Sequence, residues 1–138
     1  MIGLALLAAA CTPVQQAESA RPRPTGNPAP TRLTPAPNVP GNPENGRRVF
    51  IARGCGACHT LTGIPTAAGI VGPNLTNVVL RPTLAGDTIP MTPENLTRWI
   101  LNPPALKPGT AMPALGLTEQ EAQDVTAFLY SLPYNPGP

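Results

Sequence analysis

The placement of proline sets the first limit on this chain: nine of its 21 prolines fall between Thr12 and Pro43, in a stretch with almost no large apolar side chains. Pro removes a backbone donor and fixes φ, so such a segment builds neither helix nor sheet interior and behaves as a semi-rigid spacer. Any core must come from residues 43–138, enough for one small domain. The spacer, residues 12–42, would reach roughly 30 Å as a coil and about 95 Å as polyproline II. It lacks the repeated PxxP pattern with basic anchors that proline-binding modules take.

Ahead of it, residues 1–11 form a short apolar run that ends in LLAAAC at Cys11. A membrane-spanning helix needs about 20 apolar residues, so this run suits the apolar part of an export signal instead. A cysteine after small residues there resembles a bacterial lipobox. The resemblance implies lipidation at Cys11 and a domain anchored on the outer face of the cytoplasmic membrane, in an extracytoplasmic compartment.

Charge narrows the partners. From Glu44 onward six cations and six anions cancel, so the formal +2 sits on Arg21, Arg23 and Arg32 against Glu18 in the spacer. No basic stripe with interleaved aromatic residues occurs, which argues against nucleic-acid binding.

Within residues 43–138 the helix signals are punctuated by capping residues. Asn42 and Pro43 open PENGRRVFIA, which Gly54 stops; Gly46 and Phe50 share one face, and a mid-helix glycine points to close approach by another helix. Thr92 and Pro93 open PENLTRWIL, expected to end at Asn102 because Pro103 and Pro104 disfavour further helix. Thr118 and Glu121 form a capping box before a helix whose apolar positions are Ala122, Val125, Phe128, Leu129 and Leu132. No strand pattern stands out, so the domain reads as all-α. Two long Pro/Gly-rich loops separate the helices, and loops of that length in so small a domain usually wrap something.

The stretch GCGACHT, residues 54–60, contains two of the three cysteines and the sole histidine. A thioredoxin-like pair needs a βαβ context that is missing. A zinc site needs a fourth ligand, and only Cys11 remains, beyond the spacer. A disulfide would leave His59 as coincidence. Covalent haem attachment uses all three residues: Cys55 and Cys58 each add across a vinyl group, and the His59 imidazole reaches the iron. The opposite position is then open to Met91, Met112, Lys107 or water. Met112 sits in a loop bracketed by Pro108 and Pro113, which would hold a thioether in a fixed pose, whereas Met91 precedes a helix start and reads as a packing residue. Imidazole opposite thioether favours ferrous iron and suits one-electron transfer.

Gly46 with Phe50, CxxCH at 55–59, GPNL at 72–75, NP at 102–103, KPGTAM at 107–112 and VTAFLYSL at 125–132 come in the order and spacing of the class I c-type cytochromes, which residues 43–132 resemble. The resemblance implies a small helical fold packed around one haem c. It implies that Val125, Phe128 and Leu129 meet Gly46 and Phe50 at a helix crossing, and that the Pro73 carbonyl accepts a hydrogen bond from His59. It places Leu75, Leu96, Trp99 and Ile100 against the haem and Thr110 near a propionate, with His59 and Met112 as iron ligands.

More narrowly, residues 71–132 resemble the cytochrome c domain fused to subunit II of some bacterial haem-copper oxidases. They are also similar to the monohaem lipoprotein subunit of alternative complex III, a quinol-oxidising complex. A single domain behind a lipobox and a tether favours the latter. The expected function is therefore a membrane-tethered electron carrier, not an enzyme in itself, in a respiratory or photosynthetic quinol-oxidising complex. Its expected partners are the other subunits of that complex and a soluble acceptor such as a cytochrome or blue-copper protein. An independent periplasmic shuttle or the donor subunit of a terminal oxidase is the alternative, and a five-coordinate haem sensor or enzyme a more distant one.

Overall fold

A computed structural model describes residues 38–133. The lipobox, Cys11 and most of the Pro-rich spacer lie outside the described residues. Four helices carry the domain: α1 (Pro43–Ala52), α2 (Pro93–Leu101), α3 (Pro103–Leu106) and α4 (Glu119–Ser131). No described helix is long and apolar enough to cross a membrane.

The helix boundaries follow from the caps. The Asn42 side chain accepts the Asn45 N–H at 2.9 Å, and Thr92 accepts the Asn95 N–H at 3.1 Å, each with proline at the first helical position. At α4 the Thr118 hydroxyl accepts the Glu121 N–H at 3.2 Å while the Glu121 carboxylate accepts the Thr118 N–H at 2.8 Å. These reciprocal bonds satisfy two donors that a helix start leaves free.

α1 and α4 form the main packing unit. A Cβ on Gly46 would run into the Asp124 carbonyl and come within 2.9 Å of the Phe128 Cβ, so only glycine lets the two backbones touch here. Phe50 and Phe128 meet edge to face, with ring centroids 5.9 Å apart. Val49, Ala122, Val125 and Leu129 complete the contact. α2 joins α4 through a buried hydroxyl chain: Thr97 Oγ1 lies 2.9 Å from Thr126 Oγ1, and Thr126 donates to the Ala122 carbonyl at 2.9 Å.

Three details depart from the sequence expectation. Pro103 and Pro104 do end α2, but Asn102 then caps a fresh start, accepting the Ala105 N–H, and α3 opens with proline where its missing N–H costs nothing. A two-stranded antiparallel hairpin pairs β1 (Thr83–Leu84) with β2 (Ile89–Pro90). Two-residue strands leave no alternation to read, and the turn rests on left-handed Ala85, Gly86 and Asp87. The spacer also stops packing-free behaviour before residue 42: the Asn42 N–H donates to Asp124 at 2.8 Å, and Gly41 lies against the Gln123 backbone.

Candidate functional site

The end of α1 sets the site. Gly54 takes a left-handed conformation (φ 71°) that turns the chain into a short 3-10 segment, Cys55–Ala57. The CxxCH segment thus leaves the helix as a tight turn, with the His59 N–H donating to the Cys55 carbonyl at 3.0 Å. Cys55 is half-buried, Cys58 exposed, and both thiols are free. Burial pushes the Cys55 thiol up, only partly opposed by a backbone hydrogen bond.

His59 is buried at 8% exposure, and its ring is fixed from two sides. Nδ1 donates to the Pro73 carbonyl oxygen at 2.8 Å, which defines the tautomer and leaves Nε2 as the free nitrogen. Gly72 lies flat against the imidazole: a Cβ there would fall 2.6 Å from Nδ1 and 2.9 Å from Nε2. The 69–72 loop is strapped to the CxxCH segment by Gly69 N–H to Gly56 O at 3.0 Å and Gly72 N–H to Cys58 O at 2.7 Å.

His59 forms part of the wall of a cavity of about 420 Å³. Cys55, Pro73, Leu75, Leu96, Trp99, Ile100 and Met112 share that wall, along with Phe50, Val125 and Leu129 from the helix crossing. Cys58 is exposed and is not part of the wall. Met112 stands in the wall, whereas Met91 does not and instead packs, half-buried, against the core. Lys107 is committed elsewhere, donating to the Ala85 carbonyl at 2.8 Å.

Thr110 lies outside the cavity wall, and its hydroxyl accepts from the Met112 backbone N–H at 3.4 Å. Arg81 is the one lysine or arginine of the wall, which also contains Asp87, and it donates to the Asn74 carbonyl at 2.9 Å. Arg81 gave no signal in the sequence because a lone arginine in a loop is indistinguishable from a solvated one. Leu84, Leu115 and Leu117 were missed likewise, since they sit in the hairpin and in extended loop without period.

The family described as cytochrome c matches residues 43–133. The chain belongs to the cytochrome c family. Among its relatives are a cytochrome c oxidase subunit 2 of Alkalihalophilus pseudofirmus, 40% identical over 64% of this chain and 25% of its own, and a cytochrome c homolog of Bradyrhizobium diazoefficiens, 37% identical over 63% and 53%. The cytochrome c-type cyt cy of Rhodobacter capsulatus is 31% identical over 77% of this chain and 56% of its own. The chain thus matches between a quarter and just over half of these relatives' lengths. Among solved structures, SoxXA from P. pantotrophus superposes with a TM-score of 0.51 and 26% identity, covering 68% of this chain and 83% of that one.

A cytochrome c domain carries covalently bound haem c and transfers electrons, and the residues of this one fit the group. The wall of the 420 Å³ cavity is mostly apolar, which suits a large apolar group more than water. The wall holds the free Cys55 thiol, an imidazole with Nε2 free and a thioether, and the free Cys58 thiol belongs to the same tight turn as Cys55. Among the described residues no cluster of three or more His, Cys, Asp or Glu forms an alternative metal site.

Proposed function

We propose that the chain is a membrane-tethered monohaem cytochrome that relays single electrons outside the cytoplasm, as a subunit of a quinol-oxidising complex of the alternative complex III type. When bound, haem c supplies a one-electron iron couple. Cys55 and Cys58 would hold it, His59 would ligate the iron through Nε2 and Met112 through sulfur, and Leu75, Leu96, Trp99 and Ile100 would keep water out. The observation that carries the reading is the presence of His59 and Met112 in one apolar wall, since two protein ligands leave no open position for substrate. The lipobox at Cys11 and the proline spacer supply the tether, which restricts diffusion and raises the effective concentration near a partner.

A second reading, donor to a terminal oxidase, is favoured by the 40% identity to an oxidase subunit 2. Purification from the native membrane tests the two. Co-purification with a quinol-oxidising complex supports the first and with an oxidase the second; recovery of wild type and Cys11→Ser alike in the soluble fraction, alone, would overturn both.

A further inference from the structure

We propose that Lys107 is a positioning residue for Met112: its ammonium, bonded to the Ala85 carbonyl, clamps the loop that carries Met112 to the β1–β2 hairpin. The proposal rests on the reading of Met112 as an iron ligand and names what holds that ligand in place.

Three bonds converge on this one residue. The Lys107 N–H donates to the Pro103 carbonyl at 3.0 Å and ends α3, while its carbonyl accepts the Thr110 N–H at 3.2 Å and closes a turn in which Gly109 is left-handed (φ 81°). Its Nζ donates to the Ala85 carbonyl at 2.8 Å, 22 residues earlier in the chain. Beyond the turn the Thr110 hydroxyl accepts the Met112 N–H at 3.4 Å. A continuous chain of bonds therefore runs from the hairpin through Lys107 and Thr110 to the backbone of Met112. Met112 belongs to the cavity wall, as do Leu84, Ala85, Gly86 and Asp87 of the hairpin, whereas Lys107 does not. Its bond thus joins two stretches of the wall without entering the cavity.

The hairpin end of the clamp is shaped around the ammonium. Ala85, Gly86 and Asp87 are all left-handed (φ 58°, 68° and 63°), a conformation uncommon for residues other than glycine. Such backbone persists where surrounding contacts impose it. Here the Thr83 hydroxyl donates to the Asp87 carboxylate at 2.6 Å, and the Thr88 hydroxyl joins Lys107 on the Ala85 carbonyl, at 2.5 Å. Two donors then use both lone pairs of that oxygen. Gly86 leaves the ammonium room, since a Cβ there would lie 3.0 Å from Nζ. Lys107 is half-buried, and no carboxylate among the described residues lies within ion-pair distance of it. A lysine present for solubility alone would keep its ammonium in water, where its long side chain stays free. Here a charge-assisted bond to a carbonyl offsets the ordering of that side chain. The neutral thioether of Met112 has no charge to draw it to a metal, so the loop that presents it governs how often it leaves.

The test uses the full-length holoprotein with ferric iron, and cyanide as the entering ligand. Cyanide binds only once the thioether has left, so its binding rate at saturation reports how often Met112 lets go. Lys107→Met keeps the length of the side chain and removes the donor. It should raise that rate about tenfold or more, the effect of losing one hydrogen bond from a charged group, and weaken the far-red absorption of thioether-bound ferric iron. Lys107→Arg, which keeps a donor of similar reach, should restore both in large part. Asp124→Asn, at the contact of α1 with α4, should lower the melting temperature and leave the cyanide rate as in the wild type, which separates positioning from stability. Lys107→Met protein that binds cyanide at the wild-type rate would overturn the proposal. So would equal acceleration by Lys107→Met and Asp124→Asn, because the effect would then be one of stability alone. If Lys107→Met does not assemble with haem, Lys107→Gln, too short to reach Ala85, carries the same comparison under the same criteria. Wild-type ferric protein without the far-red absorption would instead sink the reading of Met112 as ligand.

Discussion

His59 Nδ1 lies 2.8 Å from the Pro73 carbonyl oxygen, and this one bond orients the ring whose other nitrogen is left for the metal. The bond exists because Gly72, beside Pro73, has no side chain to hold the loop off the imidazole. Gly72→Ala should therefore push the ring off its acceptor. The expected cost is about 1–3 kcal/mol, as for other overpacked sites, together with a lower midpoint potential or partial loss of the low-spin spectrum. Thermal unfolding and a redox titration of the holoprotein check both; wild-type values in each would show that the loop yields without moving His59.

Met112 stands in the cavity wall while Met91 and Lys107 do not. Met112→Ala should convert a low-spin spectrum to a high-spin one, open the iron to cyanide and carbon monoxide, and lower the potential, because a soft ligand that favours ferrous iron is lost. Met91→Ala should do none of these and cost only packing, about 2–5 kcal/mol at most. Visible spectra with and without added cyanide decide the assignment; an unchanged Met112→Ala spectrum would point to a different ligand.

What the sequence made legible was whatever is local and repeated. Asn42, Thr92 and Thr118 cap helices within three residues, so all three starts could be placed, and the Gly46 and Phe50 spacing foretold the α4 contact. The attachment segment was legible because Cys, Cys and His fall within five residues. The hairpin was not, since its strands are two residues long and its turn uses Ala85 and Asp87 at positive φ, a conformation composition does not announce. Nor was α3, where Asn102 ends one helix and caps the next. Asp124 and Thr126 stayed hidden because burial of a polar residue depends on partners far along the chain, here Asn42, Asn45 and Thr97. Arg81, in the cavity wall, stayed hidden as well, because a single arginine in a loop has no periodic signal.

Arg81 is the one lysine or arginine of the cavity wall, and haem brings two carboxylates into an otherwise mostly apolar space. A fixed positive charge near the iron disfavours the more positive ferric state. Arg81→Leu should accordingly lower the midpoint potential and make it more dependent on pH, as an unpaired carboxylate begins to take up protons in the accessible range. Potentiometric titrations at several pH values measure this. A potential that stays put at every pH would place the guanidinium's role with the Asn74 carbonyl, at 2.9 Å, alone.

Asp124 sets an acid limit to the fold. Its carboxylate is 2% exposed and sits over the N-terminus of α1, accepting from the Asn42 N–H, the Asn45 amide and the Gln120 amide. Burial by itself would raise its pKa, but those three donors, with Arg48, outweigh burial and hold it below the ordinary carboxylate range. The folded value is thus lower than the unfolded one of about 3.9. The carboxylate's contribution is complete above the unfolded value and disappears as pH falls through the folded one. Asp124→Asn keeps the shape while removing the charge, and should cost about 1.5–3 kcal/mol near neutral pH, the range for hydrogen bonds to charged groups. Since the wild type loses this contribution in acid, the two melting temperatures should approach each other as pH falls below the ordinary carboxylate range. Thermal unfolding of both holoproteins from neutral to acid pH makes the comparison, and a constant gap between them throughout would show that the carboxylate's charge does not hold α1 to α4.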